Sequence, residues 1–478
     1  MSLLGVGRCG ECAASRREKR RLRREVERLE RRNRELEQEV ARLRMALEEA
    51  RRSGKRQAAP FSKGKPKARP RRPGRRSGKQ HGPSSWRALP SAEEIDEIVE
   101  VPLPERCPAC GGEPLCSHVA HQFQADVPPV RPHTIQFNVH VGRCRGCGRR
   151  LQGRHPRQTS DALGAAAAQV GPRALALSAE LNKGLGLSFE KCSRLLEVAF
   201  GLSISRGGLC QAIARVARCA RPTYQALIEK LRASSVVVPD ETGWRVGGWL
   251  EWLWVFVGED VTVYAIQGGR GFCQAAAILG ADFAGVMVRD GWAPYRGFER
   301  ARHQTCLGHL LRRCRENLET ALRGTARVPR ALQRLLIAAL DLRDRRDAAS
   351  LHKHGLAVAR GRLEAKMDRL LEWRPRDEEN RKLLAHLGRE REALFTFLRL
   401  PGIPATNWRA EQAIRPAVVT RKVCGGNRTW NGAVAQQVLA SVLRTARQQK
   451  RDALELLADL LRSPEPVVAG ALLTGRPP

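Results

Sequence analysis

The chain has 478 residues, of which 42% are hydrophobic, so it is long enough for several packed domains and is not disordered throughout. Its formal net charge of +36 predicts a polyanionic partner, with nucleic acid as the first candidate. No apolar run approaches the ~18 residues needed to span a membrane, and the N-terminus lacks a secretion signal, so we expect a soluble, cytoplasmic protein with no membrane partner.

Residues 1–50 contain a heptad repeat typical of a leucine zipper. Asn33 occupies an a position, where it is best satisfied by its own copy in a parallel dimer, and Arg32 would face Glu37 of that copy. We therefore predict a coiled-coil homodimer or higher oligomer, against the alternative of a single solvated helix. The apolar seam consists of Leu22, Val26, Leu29, Leu36, Val40, Leu43 and Leu47.

Residues 51–90 are predicted to form a basic disordered linker. Between 51 and 79 there are thirteen Lys or Arg and no Asp or Glu, together with many Pro and Gly. Such a segment cannot bury a core. It is a solubilising tether or an extra element that binds phosphates, and the two interpretations are compatible.

Residues 91–158 are predicted to form a zinc-binding domain. The chain has 14 cysteines, and their CxxC spacing on a large chain without a signal favours metal ligation over disulfides. Two knuckles, each followed by Gly, predict one structural Zn²⁺ held by four thiolates. Because the knuckles are far apart, Cys116 or His118 could replace a member, and the weaker pair of Cys9 and Cys12 is left unassigned. The predicted ligands are Cys107, Cys110, Cys144 and Cys147.

Residues 159–233 are predicted to be helical. Within them, Ser188–Val198, a turn containing Gly201, and Ser205–Val216 have the pattern of a helix-turn-helix. Arg206 would lie in the first turn of the second helix, where a recognition helix meets DNA. Plain helical packing explains the same pattern, so both interpretations stay open.

Residues 234–430 are predicted to form an α/β catalytic core. Three strands, a helix from Gln274 to Leu279 and a fourth strand ending in Asp290 follow the order of a ribonuclease-H-like fold. A helical insertion at about 311–402 comes next, then a helix from Asn407 that we expect to break at Pro416. With a C-terminal helical region at 431–478, the fold class is multidomain α+β: coiled coil, four-cysteine zinc module, helical domain and ribonuclease-H-like core.

Three carboxylates are placed where they could form one site. Asp240 and Asp290 are each predicted to close a buried strand, and Glu411 to start a helix in a basic region. Hard carboxylate oxygens suit Mg²⁺, and phosphodiester chemistry commonly uses two such ions. Most acidic residues are surface charges, but a carboxylate beside a buried strand is costly unless it has a partner. The nearby candidates for phosphate binding are Arg409, Arg415, Arg421, Lys422 and Arg428.

Taken together, the motifs resemble a known family. They include the zipper, the two knuckles, the segments Asp240–Trp244 and Val288–Gly291, Cys306–Arg313, and Asn407–Pro416 leading to Arg421 and Lys422. In this order they resemble the insertion sequence sixty-six family of bacterial DDE transposases over nearly the whole chain.

The resemblance implies a DNA transposase that cuts and joins DNA. It implies Asp240, Asp290 and Glu411 as the catalytic triad, with two Mg²⁺ (or Mn²⁺) ions, and element ends and target DNA as partners. It also implies accessory proteins of the same element and a nucleoid-associated location. Cys306 and His309 match a Cys-x-x-His pair of the family, for which fold support beside the site is favoured over metal or phosphate contact.

Two residues depart from the family pattern without removing a ligand. Trp408 stands where Asn is common, and Leu307 replaces a frequent Trp. The alternative function is a catalytically silent DNA-binding or architectural protein derived from a transposase. Loss of any of the three carboxylates would have favoured that alternative, and all three are present.

Overall fold

The computed structural model describes residues 10–53, 88–128, 130–158, 160–163, 169–321 and 324–475. The chain divides into two compact units, Met1–Val127 and Pro128–Pro478. Most of the predicted basic linker and Cys9 lie outside the described residues. The domain boundaries inferred from the sequence remain predictions. None of the described helices is both long and apolar enough to cross a membrane.

The first unit contains a long helix, α1 (Gly10–Ser53), of 44 residues. It is rich in Arg, Glu and Leu, which favour helices. Its apolar heptad side chains from Leu22 to Leu43 lie in solvent in the single chain, as Leu29 shows with 56% exposure. The helix agrees with the zipper prediction, whereas pairing with a second copy remains a prediction. Residues 88–127 are mostly irregular, with a short 3-10 turn at Ala92–Glu94.

The second unit begins with a small antiparallel hairpin, β1 (Val141–Arg143) and β2 (Arg150–Gln152). Helix α2 (Pro172–Ala179) and a π-helical turn at Glu180–Gly184 follow. Pro172 fits the first turn of α2 because the N–H that it lacks would have no partner within the helix there.

The predicted helix-turn-helix segments are α3 (Phe189–Phe200) and α4 (Arg206–Arg232). Ser188 and Ser205 are N-caps whose hydroxyls accept main-chain N–H bonds, as the sequence suggests. The second helix does not end at Val216 as expected. Its apolar stripe continues in the same spacing and is buried in the core, so packing extends the helix by about four more turns. The buried residues past Val216 are Ala217, Ala220, Thr223, Tyr224, Leu227, Ile228 and Leu231.

A mixed five-stranded sheet forms the centre of the second unit, in the order β5-β4-β3-β6-β7. The predicted order of three strands, a helix and a fourth strand is confirmed, and a fifth strand follows. The elements are β3 (Val236–Val246), β4 (Trp249–Val257), β5 (Thr262–Gln267), α5 (Phe272–Leu279), β6 (Val286–Arg289) and β7 (Arg302–Thr305). The first three strands are antiparallel, whereas β3, β6 and β7 are parallel.

Helices cover both faces of this sheet. The insertion contributes α6 (Leu307–Glu319), α7 (Arg327–Asp347), α8 (Lys353–Leu371), α9 (Glu378–Arg389) and α10 (Thr396–Arg399), and the C-terminal part contributes α11 (Trp408–Cys424), α12 (Trp430–Gln448) and α13 (Ala453–Arg462). Short 3-10 turns lie at Ala293–Gly297, Arg391–Ala393 and Gly470–Leu472. Successive residues of β3 enter different cores: Val237 packs with α4 and α12, whereas Val236 and Val238 pack with the insertion and α11.

Helix α11 contradicts the expected break at Pro416. The proline lies inside an unbroken helix. Proline removes one main-chain hydrogen bond and normally disfavours a helix interior. Here the small buried face formed by Ala410, Ala413 and Ala417 packs α11 onto β3 and β4, and this contact holds the helix together.

Candidate active site

Asp240 lies inside β3, and not at its end as predicted. The strand continues to Val246 because antiparallel pairing with β4 persists, with Asp240 opposite Val255. The parallel pairing with β6 is shorter and ends at the pair Val237 and Met287. Asp240 therefore lies where β3 no longer pairs with β6, so that an opening forms between these two strands. Its Oδ1 accepts the N–H of Glu241 at 2.9 Å, which orients the carboxylate.

Asp290 directly follows β6, as the sequence predicts. Asp240 and Asp290 are each three residues past the last parallel pair, so the register brings them to the same opening. Asp290 Oδ1 accepts the N–H of Trp292 at 2.9 Å. Gly291 allows a close approach of the insertion, because a Cβ at this position would clash with the ring of His386.

Glu411 occupies the first turn of α11, as predicted, and the backbone N–H of Glu411 bonds to the carbonyl of Asn407 at 3.1 Å. Its Oε1 lies 3.7 Å from His309 Nε2 and 4.0 Å from Arg312 Nη2. His309 and Arg312 both belong to α6. The third carboxylate is therefore fixed between α11 and the first helix of the insertion.

The electrostatic environment of Asp240 includes the other two carboxylates. The pKa of the Asp240 carboxyl is raised to about 8, first by burial and then by the negative charge of Glu241. The charges of Asp290 and Glu411 act in the same direction. A site that disfavours its own negative charge in this way is one that a cation would stabilise.

A fourth carboxylate, Glu241, was not recognised from the sequence. Its side chain is 1% exposed and forms an ion pair with Arg270, whose Nη2 lies 2.6 Å from Glu241 Oε1. Tyr295 donates its hydroxyl to the other oxygen. Arg270 also stacks on Trp252 and Trp292, at 4.8 and 3.9 Å from the ring centroids. Because its partners are neighbours only in the fold, no sequence spacing could have identified this cluster.

A family model described as Transposase IS66 family matches residues 167–435, which is more than half of the 478 residues. The chain belongs to this family. The matched range includes the sheet, the insertion and all three carboxylates. No curated protein matches the chain. For a member of this transposase family, the opening between Asp240 and Asp290 is the candidate active site.

Cys306 connects the two sides of this candidate site. Its N–H donates to the carbonyl of Arg289 at 2.8 Å, and its buried Sγ accepts the N–H of Asn407 at 3.4 Å. Arg289 precedes Asp290, and Asn407 begins the helix that carries Glu411. These contacts agree with the fold-support interpretation of Cys306. His309 lies beside Glu411, and among the described residues its Nδ1 has no hydrogen-bond partner.

The insertion is anchored beneath Asp290 by a buried ion pair. Arg289 Nη1 lies 2.7 Å from Glu390 Oε2 and also donates to the Asp290 carbonyl at 2.9 Å. Thr305 donates its hydroxyl to Glu390 Oε2, and Arg296 forms an ion pair with Glu390 Oε1. Although burial opposes ionisation, Arg289 and Thr305 hold the pKa of Glu390 below its ordinary value. This pair too was missed from the sequence, since its members are 101 residues apart.

The residues predicted to contact DNA differ in their surroundings. Arg206 is exposed in the first turn of α4, as expected for a helix end that meets DNA. Arg421 is half-buried and donates to Thr242 Oγ1 at 3.1 Å, so it also joins α11 to β3. The exposed members near the site are Arg415, Lys422 and Arg428.

The two predicted zinc knuckles lie in different units, Cys107 and Cys110 in the first and Cys144 and Cys147 in the second. Each forms a tight turn. Cys107 N–H donates to Gly112 O at 2.8 Å, and Cys144 N–H to Arg149 O at 2.9 Å. Main-chain N–H bonds, chiefly from Ala109 and Cys110 in one and from Cys147 and Gly146 in the other, lower the pKa of Cys107 and Cys144 and so favour their thiolates.

Within the described part of the chain, no three His, Cys, Asp or Glu side chains form a preassembled metal cluster. Zinc and magnesium binding are therefore predictions. The chemistry of the three carboxylates still suits a hard divalent cation, because all their donors are oxygens and their charges act on one another.

Proposed function

We propose that the chain is an active DDE transposase that cleaves DNA at element ends and joins the ends to target DNA. The triad is Asp240, Asp290 and Glu411. The observation that carries the proposal is the common register of the two aspartates at the opening of the sheet, with the charges of Asp290 and Glu411 acting on Asp240.

The same three residues would hold two Mg²⁺ (or Mn²⁺) ions. When bound, such ions activate the attacking oxygen and stabilise the leaving oxygen of a phosphodiester. The chain's own contribution is orientation. The N–H groups of Glu241 and Trp292 each fix one oxygen of an aspartate, and the remaining carboxylate edge can turn to a ligand.

The neighbouring charged groups determine which carboxylates are open to a metal ion. Glu241 is occupied by Arg270 and Tyr295, so it supplies negative potential without competing as a ligand. Arg312 beside Glu411 provides positive charge at the edge of the site, where a DNA phosphate would lie, and His309 adds a ring nitrogen 3.7 Å from the same carboxylate.

The surrounding parts of the chain would support this activity. The central sheet is ribonuclease-H-like, α1 pairs with a second copy as a parallel zipper, and the four knuckle cysteines bind one structural Zn²⁺. Helices α3 and α4 and the basic linker contribute DNA affinity, and accessory proteins of the same element are further partners. A catalytically silent DNA-binding protein is the competing function, but the fixed orientation of both aspartates favours activity.

The test replaces each triad member by its amide in the full chain. Glu411→Gln, Asp240→Asn and Asp290→Asn should each lower cleavage and strand transfer, on DNA carrying the element ends, by several orders of magnitude while DNA binding persists. Their losses should be strongly non-additive because the three act as one site.

A matched control is Glu455→Gln. Glu455 also lies in the first turn of a helix, is 39% exposed against 37% for Glu411, and is paired with arginines. Its amide should retain wild-type activity. Near-normal strand transfer by Glu411→Gln would remove Glu411 from the triad, and a wild-type chain that binds element ends without cutting them would favour the silent alternative.

A further inference from the structure

The turn that joins β3 to β4 carries an exposed aromatic side chain. Trp249 is 78% exposed and the adjacent Leu250 is 60% exposed, whereas Trp244 and Trp254 of the same hairpin are buried. We call Trp249, Leu250 and the turn before them the hairpin tip. Tryptophan has a large apolar surface that favours a partner with a flat face.

The hairpin tip is rigidly built. Gly247 and Gly248 both have positive φ, which suits a tight two-residue hairpin turn. Arg245 donates to the carbonyl of Gly248 at 2.8 Å. From the loop after α11, Asn427 exchanges main-chain bonds with Gly247 and Arg245 at 2.9 and 2.8 Å, and its side chain accepts the indole N–H of Trp244 at 2.7 Å. Trp249 is therefore presented from a fixed position.

A basic surface leads from the candidate active site to the hairpin tip. Helix α11 carries Glu411 in its first turn, contacts Thr242 of β3 through Arg421, and ends at the loop that holds the tip. From residue 412 to residue 450 the sequence has no Asp or Glu. The exposed cations on α11 and this loop are Arg415, Lys422 and Arg428.

The length of this surface can be given in nucleotides. Val246, which is opposite Trp249, lies six residue steps along β3 from Asp240. At about 3.3 Å per residue, the tip lies about 20 Å along the strand from Asp240. This distance corresponds to about six steps of a DNA strand at ~3.4 Å each.

We propose that Trp249 is a stacking platform for an unpaired base of DNA held at the triad, no more than about six nucleotides from the reacting phosphate, since an unpaired strand can extend further per nucleotide than a duplex. The inference rests on the proposed function. Bases in a duplex are stacked on each other, whereas an unpaired base exposes its face to an indole ring. The surrounding positive charge complements the phosphates of a nucleic-acid strand, and it would repel the same surface of a second copy.

The test compares two single-stranded probes with equal numbers of phosphates, a twelve-nucleotide oligothymidylate and a twelve-unit abasic strand, by fluorescence anisotropy with the full chain. The wild-type chain should bind the base-containing strand about tenfold more tightly, since one base stacked on an aromatic side chain gives an effect of this order or larger. Trp249→Ala should bind both probes equally, and Trp249→Phe should keep most of the preference.

Val198→Ala is the control, because Val198 is equally exposed, at 78%, on α3. It should leave the preference unchanged, and circular dichroism should show that Trp249→Ala is folded. A Trp249→Ala chain that still prefers the base-containing strand overturns the proposal. A loss of dimer mass in light scattering on this substitution overturns it as well, because the tip would then be a contact between copies. Neither result depends on strand-transfer activity, so the proposed function is tested separately.

Discussion

Arg289 and Glu390 form an ion pair of 2.7 Å between β6, the strand that precedes Asp290, and the helical insertion, with side-chain exposures of 2% and 0%. A buried pair is costly to desolvate, so it is weak evidence for net stabilisation. Removing one member is nevertheless strongly destabilising, because the other charge is left buried. The pair therefore couples the insertion to the strand that leads to Asp290.

Glu390→Gln should lower the free energy of unfolding by about 3 kcal/mol, since Arg289 keeps its charge and loses its counter-ion. Urea unfolding measures this change. Glu378→Gln is the control, because Glu378 forms only an exposed pair with Lys382 and its loss should leave the stability nearly unchanged. Equal effects of the two substitutions would show that the buried pair contributes nothing specific.

The raised pKa of Asp240 predicts how Mg²⁺ stabilisation depends on pH. In the metal-free fold, a raised pKa means that protonation of Asp240 stabilises the folded state below about pH 4, and that this contribution is lost as pH rises through about 8. Mg²⁺ competes with the proton, so it should raise the melting temperature more at pH 9 than at pH 6.

Asp240→Asn removes this dependence. Without metal at pH 9, the amide variant should be more stable than the wild type by at least about 1 kcal/mol, because one pKa unit corresponds to about 1.4 kcal/mol. It should also lose most of its response to Mg²⁺ in thermal unfolding. A Mg²⁺ response that is independent of pH in the wild type would exclude Asp240 as a ligand.

The sequence predicted features that depend on local pattern. The apolar run before Asp290 predicted a strand and the segments from Ser188 and Ser205 predicted two helices, and the fold has these elements. The extent of β3 was underestimated because the segment after Asp240 contains Glu and Gly, which are depleted in strands. Pairing with β4 outweighs that local preference, as tertiary packing also does at Pro416.

The parts of the site that could not be predicted depend on long-range contacts. Glu241 is paired with Arg270 and Tyr295, which lie 29 and 54 residues away in the chain. Nothing in the Asp-Glu pair at 240 and 241 indicates which carboxylate faces the opening. The opposite roles of the two arise only from the alternation of side chains across β3.

Metal analysis tests the zinc prediction. The four knuckle cysteines should hold about one Zn²⁺ per chain, because four thiolates complete a closed structural site. Cys107→Ser should abolish zinc retention, whereas Cys273→Ser, at an exposed cysteine on α5, should not affect it. Full zinc content in Cys107→Ser would refute the ligand assignment, and about two ions per chain would indicate a further site at Cys9 and Cys12.

Light scattering tests the role of α1. A chain lacking residues 1–50 should have the mass of a smaller oligomer, because the exposed heptad seam would be lost. Leu29→Glu should have the same effect, since it introduces a charge at a d position. Arg31→Glu lies outside the seam and should leave the mass unchanged. A dimer that survives deletion would place the main contact elsewhere in the chain.

The salt dependence of DNA binding separates phosphate contacts from structural arginines. Arg428 is exposed on the loop beside the hairpin tip, so Arg428→Ala should reduce the slope of log affinity against log salt on duplex DNA by about 0.9, the value for one lost phosphate contact. Arg421→Ala should instead lower the free energy of unfolding, because its contact with Thr242 joins α11 to β3. Lys366→Ala, at an exposed site on α8, controls for the loss of one charge and should leave the slope unchanged. If Arg428→Ala and Lys366→Ala have equal slopes, the DNA does not follow α11 toward the tip.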